Sequence, residues 1–266
     1  MAWATLRWKS ELLGKRTQAE VLLPPVGRPP FATLYLLHGL GDDATMWMRH
    51  SRIEYYAREL PLVIVMPDGY RGFYTDNNEG PAYARHIGEE LPAFIERHFQ
   101  VKTGRRSRAI GGLSMGGYGA LRVGLAYPEM YASINSHSGA LGWGGEGERG
   151  DMVKMAKARN WDDGFSAEMR RIFGDSALGS PHDILELVRR ARAAQTLPKL
   201  LLDCGTEDYL LADNRGYHAA LEQENIPHTY REYSGAHTWD YWDEHVRDAL
   251  AFHAEHLGLA PAIPSH

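Results

Sequence analysis

Short, nearly all-apolar runs separated by stretches of helical periodicity constrain this chain more than any other feature. Residues 31–37, 60–66 and 197–202 are such runs. A strand with one wet face alternates apolar and polar side chains, whereas a strand covered on both faces need not. Residues 108–113, 131–135 and 228–233 read as further strands of the same sheet. Between them, Ala84, Ile87, Leu91, Phe94, Ile95 and Phe99 recur at three- and four-residue steps, the stripe of a helix lying on a sheet. Pro92 interrupts that stripe and predicts a kink or a helix start. Trp239, Trp242, Val246, Leu250, His253 and Leu257 form a second stripe near the C-terminus. The alternation predicts an α/β fold with a mainly parallel central sheet and helices on both faces. Residues 2–9 and 17–23, around the turn-prone Gly14, predict an N-terminal antiparallel hairpin.

One segment breaks the rhythm. Residues 141–192 contain no convincing strand, yet carry scattered Trp143, Trp161, Phe165, Met169 and Phe173. The expected organisation is a single domain, 1–266, with 141–192 inserted as a lid or cap where substrate choice would lie. Composition narrows the functional classes. With 29 basic against 34 acidic residues the net charge is −5, so no global basic field would attract nucleic acid. Cys204 is the only cysteine, which excludes an intrachain disulfide and any multi-cysteine metal site. No apolar run approaches the ~20 residues of a membrane span. Arg7, Lys9 and Glu11 interrupt the start where a signal peptide would need apolar residues. A cytoplasmic protein without membrane attachment is expected, and a homo-oligomer stays open.

Chemistry enters at Gly112-Leu113-Ser114-Met115-Gly116, a G-x-S-x-G pattern between a predicted strand and a helical stretch, 118–126. Composition alone would produce about 0.13 such matches, so the strand-to-helix context carries the reading. In that context the turn is sharp and pushes the serine hydroxyl outward. A serine hydroxyl is a weak nucleophile and needs an oriented base. Asp203, Glu207 and Asp208 follow the apolar run 197–202. Asp208, beyond the strand end and past Gly205, is favoured as the acid over the other two. Seven histidines follow Asp208. His237 alone sits in a loop between a predicted strand and the last helix, the position a base requires. Backbone N–H groups of Met115 and of Leu40, in His38-Gly39-Leu40-Gly41, are the candidate oxyanion donors.

These residues carry a resemblance. Leu36-Leu37-His38-Gly39, the run Gly112 to Ala120, Gly205-Thr206-Glu207-Asp208 and His237-Thr238-Trp239 resemble the putative esterase family of α/β-hydrolases. That family includes S-formylglutathione hydrolase (esterase D), tributyrin esterases, feruloyl esterases and mycolyltransferases. The resemblance runs from about Thr5 to Leu257 and implies the α/β-hydrolase fold and a Ser114–His237–Asp208 triad. Gly72-Phe73-Tyr74-Thr75-Asp76 resembles a family loop beside the active site. Tyr118 stands where S-formylglutathione hydrolase carries a histidine, so the nearer likeness is to tributyrin-type carboxylesterases. Phe73, Tyr74 and Trp239 are the expected walls for an apolar acyl or aryl group.

The expected substrate is a small-molecule ester, with no cofactor and no metal. Gly142-Trp143-Gly144-Gly145-Glu146-Gly147 formally fits a dinucleotide fingerprint, but no strand precedes a suitable acid, and it is read as a false match. His253 and His256, three apart on the last helix, read as a solvated face. Three alternatives stay open: transfer of the acyl group to an acceptor other than water, an S-formylglutathione-type thioesterase using the same triad, and a binding protein with an inert triad.

Overall fold

The computed structural model describes residues 1–143, 156–157 and 159–259. Among the described residues, eight strands form one sheet in the order β1-β2-β4-β3-β5-β6-β7-β8. β1 (Ala2–Ser10) and β2 (Lys15–Leu23) are the antiparallel hairpin, and β2 joins β4 (Leu62–Pro67) antiparallel. β3 (Ala32–Leu37), β5 (Arg108–Leu113), β6 (Ser133–His137), β7 (Lys199–Gly205) and β8 (Thr229–Tyr233) run parallel to β4.

β3, β4 and β5 are buried along their whole length, as two-sided cover requires. Alternate residues feed two cores. Tyr35 and Leu37 join one, whereas Leu34 and Leu36 join the other. The second core is closed by α1 (Met46–His50), α2 (Ile53–Ala57) and a long C-terminal helix, Trp239–His256. The first is covered by a helix that runs from Tyr83–Arg85 (α3) through a π-turn, His86–Glu90, into Leu91–His98 (α4), and by α5 (Met115–Ala126). Asp163–Phe173 (α6), Ile184–Ala193 (α7) and Leu211–Gln223 (α8) complete that layer, so Trp239–His256 is α9.

The π-turn answers the expectation about Pro92. Leu91 N–H donates to the His86 carbonyl five residues back, and Pro92 falls in the first turn of α4, where a missing N–H costs no bond within that helix. Two strand ends differ from the sequence expectation. β6 extends to His137 and β7 to Gly205, because Ser136, His137 and Asp203 are buried polar residues that an apolar pattern does not register.

Within 141–192, Met169, Ile172, Phe173, Ile184, Leu185 and Val188 are core residues. This half of the segment is therefore part of the layer that covers the sheet. Residues 144–155 and 158, with most of the false dinucleotide match, lie outside the described residues. His253 corrects an expectation: it is fully buried, its Nε2–H donating to Asn135 Oδ1 (2.8 Å) and its Nδ1 accepting from Ser133 Oγ (2.8 Å). Polar residues on β6 make this face of α9 a core face despite its histidine.

Candidate active site

Ser114 joins β5 to α5 at φ 53°, ψ −117°, a strained conformation for a residue other than glycine. The turn is held from several sides. Ser114 N–H donates to the His137 carbonyl (2.9 Å), and the Ser114 carbonyl accepts from Tyr118 N–H (3.1 Å) and Ala140 N–H (3.0 Å). The flanking glycines are a packing requirement. A Cβ on Gly112 would lie 2.5 Å from the Gly116 carbonyl oxygen, and one on Gly116 2.5 Å from that of Leu37.

His237 follows β8 and meets this serine: Ser114 Oγ and His237 Nε2 are 2.9 Å apart. On the other side of the ring, His237 Nδ1 is 2.8 Å from Asp208 Oδ2. An ionised carboxylate only accepts, so Nδ1 carries the proton and Nε2 is free to accept from the serine hydroxyl. Burial works against the charge of Asp208. The bonds from His237 and from Leu210 N–H (2.8 Å) outweigh it and hold the carboxyl below its usual range.

The loops bearing Asp208 and His237 are fastened together. Thr206 N–H donates to the Tyr233 carbonyl (2.8 Å) and Glu207 N–H to that of Gly235 (3.0 Å). Gly235 N–H returns a bond to the Glu207 carboxylate, which with Thr206 Oγ1 holds that carboxyl below its ordinary range. The three candidate acids thus part company. Asp208 faces His237, and Glu207 clamps the loop of His237. Asp203 is buried in β7, where it accepts from His137 Nδ1–H (2.7 Å) and Tyr241 OH (2.9 Å).

Leu40 and Met115 border a cavity of about 200 Å³ together with Ser114. Met115 opens α5, where a backbone N–H has no carbonyl within its own helix. The loop bearing Leu40 is fixed by its neighbours. His38 N–H donates to Tyr74 Oη and Tyr74 OH donates to the His38 carbonyl, both at 3.0 Å. Gly69 N–H donates to His38 Nε2 (2.9 Å), and the ring's Nδ1 meets the Gly39 carbonyl (2.8 Å).

Of the three expected walls, Phe73 lines the cavity. Tyr74 does not: it is fully buried and spends its hydroxyl on His38, so it positions the loop rather than touching the cavity. Trp239 is also displaced from that role. It starts α9 and packs edge-on to Trp47 (centroids 5.2 Å apart) and stacked on His50 (5.3 Å), on the other core's side. The remaining walls are Ala140, Arg159, Trp161, Phe165, Tyr209 and Leu210. Trp161 and Phe165 come from the expected insertion. Tyr209 follows Asp208 directly and sets its ring 4.6 Å from that of His237, a role its position could have suggested. Nothing local in the sequence marks Arg159, which reaches the cavity while bound to Asp213 of α8 at 2.8 Å.

A serine, an imidazole and a carboxylate in line at a cavity mouth are what acyl transfer through serine requires. Comparison with known proteins agrees. The family described as Putative esterase matches residues 10–253. The chain belongs to this family. An acetyl esterase of Caldicellulosiruptor saccharolyticus is 32% identical over 94% of this chain and 97% of its own. Among solved structures, the fluorophosphonate-binding serine hydrolase F of Staphylococcus aureus superposes with a TM-score of 0.83 at 29% identity, covering 95% of this chain and 98% of its own. S-formylglutathione hydrolase from Staphylococcus aureus gives 0.80 at 30%, with the same coverage of both chains. The esterase-family chain is therefore an α/β-hydrolase and a serine hydrolase acting on ester bonds. Among the described residues no helix is long and apolar enough to cross a membrane.

Proposed function

We propose that this chain is a carboxylesterase that cleaves short-chain or aryl carboxylic esters through Ser114, His237 and Asp208. The observation that carries the reading is the continuous line from Ser114 Oγ to His237 Nε2 (2.9 Å) and from His237 Nδ1 to Asp208 (2.8 Å). Ser114 Oγ attacks the ester carbonyl while His237 Nε2 takes its proton, and Asp208 steadies the imidazolium. The N–H groups of Leu40 and Met115 receive the developing oxyanion, each such donor being worth roughly 10²–10³ in rate. His237 then protonates the leaving alcohol, and water activated by the same nitrogen releases the acid from the acyl-enzyme.

A cavity of about 200 Å³ walled by Phe73, Trp161 and Phe165 suits an acyl group of a few carbons or one ring. The relative named acetyl esterase supports the short end of that range. The test is a series of p-nitrophenyl esters of increasing acyl length, assayed with wild type and Ser114→Ala. Turnover should fall as the acyl chain outgrows the cavity and vanish in the variant. Retained turnover in Ser114→Ala would overturn the nucleophile. New ester rather than free acid in the presence of an added alcohol would make the enzyme an acyltransferase.

A further inference from the structure

No metal is expected from sequence spacing, yet the tertiary structure assembles a set of metal-ligating side chains away from the cavity. His218, Glu222 and His228 each offer a ligand atom, and these atoms lie within 4.8 Å of one another. His218 and Glu222 are four residues apart on α8 and so share one face of it. His228 stands just before β8, the edge strand at this end of the sheet.

The His228 imidazole is already oriented as a ligand. His228 Nδ1–H donates to the Ile226 carbonyl (2.7 Å), which leaves the Nε2 lone pair directed at His218 Nδ1, 2.7 Å away. A backbone carbonyl holding the far nitrogen is how proteins fix the tautomer of a metal-binding histidine. The His218 ring is stacked on Tyr230, centroids 4.2 Å apart and planes 14° from parallel. Two nitrogens bound to one tetrahedral zinc at about 2.0–2.1 Å sit roughly 3.3 Å apart, so opening the present contact by about half an ångström admits the ion. Glu232 is close but committed, to Arg215 (2.6 Å) and to Tyr230 OH (2.9 Å).

We propose that His218, Glu222 and His228 bind a divalent transition ion of the zinc type, with water completing the coordination. Two neutral imidazoles and a carboxylate match the nitrogen and oxygen preference of such ions. On binding, the single proton of His218 moves from Nδ1 to Nε2, and no oxidant or reductant takes part. The ion ties α8 to the entry of β8. None of the three residues borders the cavity at Ser114, so ion binding stabilises the fold and leaves ester turnover unchanged.

The test is titration of the chelator-stripped, full-length protein with zinc chloride by calorimetry, with cobalt(II) as a spectroscopic probe. One ion per chain should bind, cobalt should show the visible absorption of a four-coordinate site, and the melting temperature should rise on loading. His218→Ala and His228→Ala should each weaken binding by about 100-fold or more, and Glu222→Gln by about tenfold, with ester turnover as in wild type. Glu222→Gln changes one exposed carboxylate and keeps the test sound if a histidine variant folds poorly. The proposal fails if no stoichiometric binding occurs, or if zinc binds equally well to the variants. A zinc ion that inhibits ester turnover in wild type and variants alike sits elsewhere and also overturns it.

Discussion

His137–Asp203 and His237–Asp208 are alike in chemistry and opposite in surroundings. Both are imidazole–carboxylate pairs at the carboxyl end of the sheet, joined at 2.7 and 2.8 Å. His137 and Asp203 are sealed between the sheet and α9, at 0% and 1% exposure, and Tyr241 OH occupies the other carboxylate oxygen. Among the described residues, His137 Nε2 has no hydrogen-bond partner. His237 instead presents its Nε2 to Ser114 at the mouth of a cavity. A histidine–aspartate pair is thus not a site by itself. The proposed site lies where the second nitrogen meets a serine hydroxyl that borders a cavity.

The largest effect that tests this contrast is loss of the nucleophile. Ser114→Ala should lower kcat by on the order of 10⁶ with the melting temperature unchanged, as read from steady-state ester hydrolysis and thermal denaturation. A fall below tenfold would place the chemistry elsewhere. Next come the two aspartates. Asp208→Asn should lower kcat by about 10⁴, since the amide no longer holds the imidazole in the productive tautomer. Asp203→Ala should leave kcat of the folded protein within about tenfold of wild type and lower unfolding stability by roughly 3–5 kcal/mol, because it strands a buried partner. Chemical denaturation and kinetics on both variants check this, and an interchange of the two phenotypes would reverse the assignment.

The sealed region also makes a pH prediction. Burial, with His137 nearby, pushes the pKa of His253 down to about 3. An unfolded chain binds a proton at this residue below about pH 6.5, whereas the folded chain does not until about pH 3. Stability therefore falls with acidification across that window, by at most ~1.4 kcal/mol per pH unit from this residue. His253→Gln should flatten the slope of unfolding free energy against pH by about one proton, measured by urea denaturation at several pH values. An unchanged slope would mean that His253 is not held neutral. The smallest effect is expected at Tyr74→Phe, which removes the hydroxyl bound to both His38 groups. It should cost about 1 kcal/mol of stability and less than tenfold in kcat, read by melting and ester turnover. A loss as deep as that of Asp208→Asn would give Tyr74 a direct part in the reaction.

Legibility differed between backbone and side chains. The parallel sheet was readable because two-sided burial demands runs such as 60–66, and Ser114 because a strand-to-helix turn of that sharpness demands glycines at 112 and 116. The ends of β6 and β7 were not readable, since His137 and Asp203 are polar residues whose burial depends on each other. Tyr74 and Trp239 show the same limit. Both are aromatic and near the site in sequence, yet one is turned onto the His38 backbone and the other into a cluster with Trp47 and His50.

By itself, the sequence determined the mainly parallel α/β class, the hairpin and the order in which Ser114, Asp208 and His237 follow their strands. Those properties reside in local periodicity and in glycines that a tight turn cannot do without. Tertiary structure alone decided which acid faces which histidine, which aromatics wall the cavity, and that His218, Glu222 and His228 converge. Each of those depends on side chains from separate elements meeting in space, and no pattern along one strand or helix records which neighbour it will face.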